Sequence, residues 1–206
     1  MTCIVGYIDN KFGKVYIGGD SAGVTGNDIV ARKDVKVFKN GQFIIGCTTS
    51  FRMIQILRFK FKPPKLLATR DVYEYMCTDF IDAVRTSFSD SGFMQTAKHG
   101  DEQGGQFLVA YKDRLFEIGV DFQVGEHADG YTSLGHGAKY ALGAIHSVYD
   151  NSAVRPYDRV RMALNAATHF SGAVCEPFTI INTWHSFKLN YLFMISGIID
   201  HWFMHD

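Results

Sequence analysis

The sequence predicts an α+β domain whose element order fits a four-layer αββα sandwich. Three observations carry this. The first fifty residues read as strands and hairpins. The hydrophobic period then lengthens to that of two amphipathic helices. In the second half, strands return and are followed by two helices and a last strand. Helices bury sheets from outside, and two sheets can pack face to face between them. Order alone also fits other α+β folds, so the residues that carry chemistry must decide.

The elements follow from local pattern. Cys3 to Ile8 is apolar and β-branched, Asp9 to Gly13 is a polar turn, and Lys14 to Gly19 returns as a strand. Gly18, Gly19, Gly23 and Gly26 mark a tight, irregular stretch. They lack the GxxxxGK[ST] pattern of a phosphate loop, so they read as turn geometry. Asp34 to Lys39 and Gln42 to Cys47 form a hairpin around Asn40-Gly41, a type I′ signal. Met53, Ile54, Leu57 and Phe61 line one face of a helix stopped by Pro63-Pro64. Thr69 is the expected cap of a second helix, with Val72, Met76, Phe80 and Val84 recurring every fourth residue. Ser89 to Gln106 reads as a loop. Strands resume at Gln106 to Tyr111 and Leu115 to Gly119, and a short one ends at Leu134. Gly135-His136-Gly137 leads into a helix through Tyr149, Pro156 opens another to about His169, and Pro177 to Thr183 is a final strand.

Composition narrows the function. Lys+Arg and Asp+Glu each number 21, so no global basic field favours nucleic acid or an anionic membrane. Cys3, Cys47, Cys77 and Cys175 show neither CxxC nor zinc-site spacing and read as small core residues in a reducing cytoplasm. No metal or other cofactor is expected. The apolar run Tyr191 to Ile199 is shorter than the roughly 20 residues a spanning helix needs. The segment from Trp184 to Asp206 is rich in Phe, Met, Ile and Trp and has no assigned role, and His185, His201 and His205 within it read as incidental.

Thr2 follows the initiator Met, and small second residues permit Met removal. By itself this is unremarkable. The support is positional: Asp20 ends a strand in Gly18-Gly19-Asp20-Ser21, Lys36 lies in Val35-Lys36-Val37, and Thr48-Thr49-Ser50 joins a strand to a helix. A Thr hydroxyl needs a neighbouring base to become a nucleophile. A free α-amine, with an unperturbed pKa of about 7.7–8.0, can be that base. A lysine ammonium nearby disfavours the charged amine and holds the hydroxyl, and a carboxylate keeps that lysine fixed. A backbone N–H at the helix start, here that of Ser50, can receive an oxyanion.

With these residues in view, the stretch from Thr2 to about Asn182 resembles a proteasome β-subunit. It is closer still to the bacterial proteasome-like peptidase that pairs with an ATP-driven unfoldase. The matching segments are Thr2-Cys3-Ile4-Val5, Gly18-Gly19-Asp20-Ser21, Val35-Lys36-Val37, Ile44-Ile45-Gly46 and Leu134-Gly135-His136-Gly137. The resemblance implies the N-terminal nucleophile (Ntn) hydrolase fold over residues 2–183, with 184–206 as an added extension. It also implies Thr2 as nucleophile beside Asp20 and Lys36, a homo-oligomeric ring, and hydrolysis of unfolded polypeptide or peptide, in partnership with an unfoldase.

Several positions depart from that family's pattern. Its small Ala-Gly-Gly turn aligns with Thr48-Thr49-Ser50-Phe51, and the Ser of its Gly-Ser-Gly aligns with His136. Its helix Asp aligns near Thr168 or His169, and a neighbouring Ser matches Ser171. His136 reads either as a group that titrates near neutral pH or as a polar cap on the following helix, and the second reading is favoured. Two rivals to a peptidase therefore stand: a catalytically silent scaffold subunit, and an amidase acting on small molecules, since fold does not fix substrate.

Overall fold

The computed structural model describes residues 2–96 and 102–183. Met1 and the tail from Trp184, with its three histidines, lie outside the described residues. The main strands form two antiparallel sheets. In the first, β12 (Tyr131–Gly135), β1 (Cys3–Asp9), β2 (Lys14–Gly19) and β13 (Thr179–Asn182) lie side by side in that order. In the second the order is β11 (Val124–Gly125), β10 (Arg114–Ile118), β9 (Phe107–Tyr111), β6 (Phe43–Cys47) and β5 (Val37–Asn40).

Strands buried on both faces lose the alternation of a half-exposed sheet, and the side chains show how these faces divide. Along β1, Cys3, Val5 and Tyr7 pack with Ala141, Ile145, Val160, Ala163 and Leu164, which belong to α4 (Ala138–Val148) and α5 (Pro156–Phe170). Ile4 points the other way and meets Ile44, Leu108 and Leu115 of the second sheet. Along β6 and β9, Ile45, Cys47, Phe107 and Val109 join Met53, Ile56 and Leu57 of α1 (Phe51–Phe59). Phe80, Val84 and Phe88 from the following helical segment complete that layer. The result is helices, sheet, sheet, helices: the αββα sandwich expected from the sequence. Gly46 lets the sheets approach closely, because a Cβ there would come within 2.7 Å of both Ile4 and Ile17.

Several local expectations change. The glycine-rich stretch after Asp20 contains a hairpin, β3 (Ala22–Thr25) and β4 (Asp28–Ala31), turning at Gly26 with φ +60°. Asn40 lies in β5, paired with Phe43, so the turn residues are Gly41 and Gln42 with Gly41 at φ +60°. Glycine in the first central position is the II′ pattern. Asn40 instead uses its amide to donate to the carbonyls of Leu57 and Phe61, at 2.8 and 2.9 Å, and so ends α1. The second helix is capped by Asp71, which accepts from the N–H groups of Tyr73 and Glu74, and not by Thr69. It runs as α2 (Val72–Tyr75), a π-helical turn (Met76–Phe80) and α3 (Ile81–Ser89). A strict four-residue repeat is wider than the 3.6 of an α-helix, and the π turn absorbs the difference, keeping Met76, Phe80 and Val84 fully buried. The expected loop from Ser89 contains a further small hairpin, β7 (Gln95–Thr96) with β8 (Glu102–Gln103).

The layering fixes thiol accessibility. Cys3 and Cys47 are fully buried, and burial pushes the Cys3 thiol up to about 12 and raises that of Cys47 as well. Cys77 is exposed and Cys175 half-buried, so these two are not the core residues expected from the sequence. A thiol-reactive chromogenic reagent at pH 8 should therefore label Cys77 first, then Cys175, and reach Cys3 and Cys47 only after unfolding. Release of four equivalents from the native protein would contradict this packing.

Candidate active site

Thr2 stands immediately before β1, a central strand, so its neighbours are set by the ends of the flanking strands. On one side Ile4 pairs with Gly19, which brings Asp20 alongside. The Asp20 N–H donates to the Cys3 carbonyl at 3.2 Å, and the carboxylate accepts in return. Its Oδ1 takes the Cys3 N–H at 3.0 Å and its Oδ2 the Ala22 N–H at 2.9 Å. On the other side Cys3 pairs with Gly135, whose φ is +94°. A Cβ there would lie 2.3 Å from the Thr2 carbonyl oxygen, which accepts from the Gly137 N–H at 3.2 Å. Only glycine permits that approach.

Lys36 arrives from the other sheet. It precedes β5, and its backbone carbonyl accepts from the Cys47 N–H at 2.9 Å. Its Nζ donates to Asp20 Oδ1 at 2.8 Å and to Thr2 Oγ1 at 3.0 Å. Thr2, Asp20 and Lys36 are respectively 3%, 3% and 2% exposed, so this is a buried constellation and not a surface ion pair. Burial pushes the Lys36 ammonium below its ordinary range, with the adjacent Asp20 carboxylate pulling the other way. The three residues singled out in the sequence therefore meet in hydrogen-bonding contact.

The remaining expectations divide. Ser50 is the N-cap of α1, with ordinary extended backbone (φ −147°, ψ 136°), so this position does not require glycine. Its Oγ accepts from the Arg52 N–H at 3.0 Å. Thr48 Oγ1 donates to the Gln106 carbonyl and Thr49 Oγ1 accepts from the Gln106 N–H, so both hydroxyls tie the turn to the segment preceding β9. His136 is exposed, and the N-cap of α4 is Gly137, without a side-chain cap. Ser171 is buried at the C-terminus of α5, where its Oγ accepts from the Ala173 N–H at 3.3 Å. Thr168 carries a buried Oγ1 with no hydrogen-bond partner among the described residues. Among those residues there is also no group of three His, Cys, Asp or Glu side chains placed to hold a metal.

Two features of the site went unread in the sequence. Phe51, the first residue of α1, puts its ring 5.8 Å from Lys36 Nζ, with the Arg32 guanidinium stacked on it at 4.0 Å. Ser133 Oγ donates to the Ile4 carbonyl at 2.8 Å and bolsters the start of β1. Neither stands in a motif, and only the register of distant strands brings them here.

The αββα sandwich is a fold this chain shares with solved proteasome-like proteins. Solved structures agree. The chain superposes on Thiobacillus denitrificans BPH in complex with epoxomicin with a TM-score of 0.74 and 19% identity, covering 88% of this chain and 97% of that one. For eukaryotic HslV from Trypanosoma brucei the score is 0.61 at 17% identity, covering 88% and 98%. For Anbu, an ancestral beta-subunit from Yersinia bercovieri, it is 0.61 at 16%, covering 97% and 95%. At these identities the likeness is one of fold. No protein-family model matches the chain, and no curated protein matches it in sequence.

The buried pair has a stability consequence. Lys36→Ala leaves the Asp20 carboxylate in place with its two backbone donors but without its counter-charge. Breaking a buried pair from one side costs about 3–5 kcal/mol, and the retained N–H bonds put this case near 3. Urea unfolding followed by fluorescence should show that loss, and a change below about 0.5 kcal/mol, as for an exposed lysine, would contradict the burial.

Proposed function

We propose that this protein is a threonine-type peptidase in which Thr2, freed by removal of Met1, is the nucleophile. The observation that carries the reading is the contact of Lys36 Nζ with both Thr2 Oγ1, at 3.0 Å, and Asp20 Oδ1, at 2.8 Å, out of solvent. In this mechanism the Thr2 α-amine takes the hydroxyl proton as Oγ1 attacks the peptide carbonyl carbon. Lys36 stabilises the developing alkoxide, and Asp20 keeps the ammonium charged and aimed. The carbonyl π electrons move to oxygen, and the oxyanion is received by the backbone N–H of Ser50. Collapse of the tetrahedral intermediate breaks the C–N bond, and the α-ammonium returns its proton to the leaving amine. Water, deprotonated by the same amine, then hydrolyses the acyl ester and restores Thr2. His136 and Ser171 are assigned to the surroundings of the nucleophile and not to proton transfer.

The substrate class in this reading is unfolded polypeptide or peptide, cleaved in the cytoplasm inside a homo-oligomeric ring fed by an ATP-driven unfoldase. Residues 2–183 form the hydrolase domain and 184–206 an apolar extension. The aromatic pair Tyr140–Phe170, stacked at 5.5 Å on the outer helices and 44% and 65% exposed, supports a self-association surface. A second reading, a silent scaffold subunit, is favoured by the position aligned with the family's helix carboxylate. That position falls near Thr168 or His169, neither of which carries a carboxylate, and the Thr168 hydroxyl has no partner among the described residues.

Epoxomicin, which the structurally similar BPH binds, is the natural probe. The peptidase reading expects an intact mass lacking Met1, an epoxomicin adduct mapped to Thr2, and turnover of fluorogenic peptides. Thr2→Ala and Lys36→Ala should each lower turnover by about 100-fold or more, assayed below their melting temperatures. Lys36→Arg should fail too, since a planar guanidinium does not replace a compact ammonium. No adduct and no turnover from correctly processed protein would favour the scaffold. Hydrolysis of small amides alone would favour an amidase, and Thr2-dependent cleavage with Met1 fully retained would overturn the α-amine mechanism.

Native mass spectrometry at micromolar concentration should show a closed ring of identical subunits. A monomer that retains full peptidase activity would remove the compartment from the account.

A further inference from the structure

At the end of β1 remote from Thr2, roughly 17 Å away at strand rise, the β1–β2 turn and the α4–α5 connection enclose a cavity of about 500 Å³. Its size is that of a small-molecule site. One wall holds Arg159, which is 92% buried by its 8% exposure. The guanidinium donates through Nε to the Val154 carbonyl at 3.1 Å, through one terminal nitrogen to the Asn151 carbonyl at 2.8 Å, and through the other to the Tyr7 hydroxyl. All three acceptors are neutral, and among the described residues no carboxylate lies within ion-pairing distance of it. A buried cation without a counter-charge in contact is costly, and two of its five N–H groups are still to be matched. Tyr7, having accepted from Arg159, keeps its own proton to donate.

Carboxylates line the same cavity: Asp9, also buried, and the exposed Asp150, together with the cations Lys11 and Arg155, the latter paired with Asp158. The Asp9 carboxylate accepts the Lys11 backbone N–H at 3.2 Å. Aromatic surfaces line it as well: Tyr149, edge-on to Tyr7 with ring centroids 6.4 Å apart, and Phe12, 63% exposed. A buried guanidinium with N–H groups to spare, carboxylates and aromatic rings in one cavity match a small zwitterion with an apolar body.

We propose that this cavity binds a free α-amino acid with an apolar side chain. Its carboxylate meets Arg159 and the Tyr7 hydroxyl, its ammonium faces Asp9 and Asp150, and its side chain lies on Tyr149 and Phe12. The site shares no residue with the Thr2 group, so it stands whether or not the protein cleaves peptides.

Isothermal titration of the full-length protein tests it with L-phenylalanine and L-leucine, their N-acetyl derivatives, their amides, and inorganic phosphate. The free amino acids should bind, with the N-acetyl forms and the amides each at least tenfold weaker and phosphate undetected. Asp150→Asn, at an exposed position, should weaken the free amino acid at least fivefold while leaving the N-acetyl form unchanged. Arg159→Lys should abolish binding, with its melting curve run alongside because Arg159 also ties the α4–α5 connection. Equal binding of the N-acetyl form would overturn the zwitterion assignment. Equal binding of phosphate would reduce the cavity to a generic anion site. No binding by any probe would leave Arg159 as a tie for the connection only, and the proposal would be wrong.

Discussion

Lys36 is held out of water with its ammonium between a carboxylate and a hydroxyl, and the rest of the structure has to satisfy that placement. An ammonium transferred to a protein interior loses several kcal/mol of hydration, recovered only when a counter-charge is in contact and its remaining groups are also bonded. Asp20 meets that demand because its second oxygen and part of its first are already committed to the Ala22 and Cys3 N–H groups. The carboxylate is thereby fixed before the lysine arrives. Three chain segments that are far apart in sequence converge on this contact: the start of β1, the end of β2 and the approach to β5.

That convergence depends on the sandwich. Asp20 follows β2 of the first sheet and Lys36 precedes β5, the edge strand of the second, so the pair bridges the two layers. The sheets must lie close enough for a lysine side chain to cross, which is what Gly46 allows against Ile4 and Ile17. The backbone around Thr2 is constrained in the same way. Gly135 gives room for the Thr2 carbonyl, and the Gly137 N–H receives it. The Gly135-His136-Gly137 sequence is therefore explained by the backbone of Thr2, while the histidine between the glycines is exposed.

Most of the layering was legible because two physical signals are strong in this chain: apolar period and turn chemistry. Continuous apolar strands such as Phe107–Tyr111 announced burial on both faces, and Pro156 marked the first turn of α5. The Thr2, Asp20 and Lys36 grouping was legible only through a motif order, since spacing along the chain does not reveal that β5 sits over the end of β2. The misses have local causes. Asn40-Gly41 carries a hairpin signal in either register, and pairing of Asn40 with Phe43 chose the one that frees the Asn40 amide to cap α1. Asp71 is the cap in place of Thr69 because the helix begins at Val72, which puts Asp71 at the N-cap with its Oδ1 in reach of the Tyr73 and Glu74 N–H groups. Phe51 and Arg32 meet through tertiary register that no window of sequence contains.

The positions that depart from the proteasome-like pattern do not weaken the central contact, and this separates two questions that the sequence runs together. The Thr48-Thr49-Ser50 turn keeps a regular backbone, its two threonine hydroxyls are spent on Gln106, and Ser50 spends its own on the α1 N-terminus. These substitutions are accommodated by local hydrogen bonding, so they leave the geometry of Thr2, Asp20 and Lys36 intact. Thr168 is different, because its buried hydroxyl has no partner among the described residues, and a buried polar atom left unsatisfied costs about 1–3 kcal/mol. A cost of that size persists only where something offsets it. The contact of Thr2, Asp20 and Lys36 is therefore fully satisfied by its own bonding, while the Thr168 hydroxyl is a buried group that local hydrogen bonding does not account for.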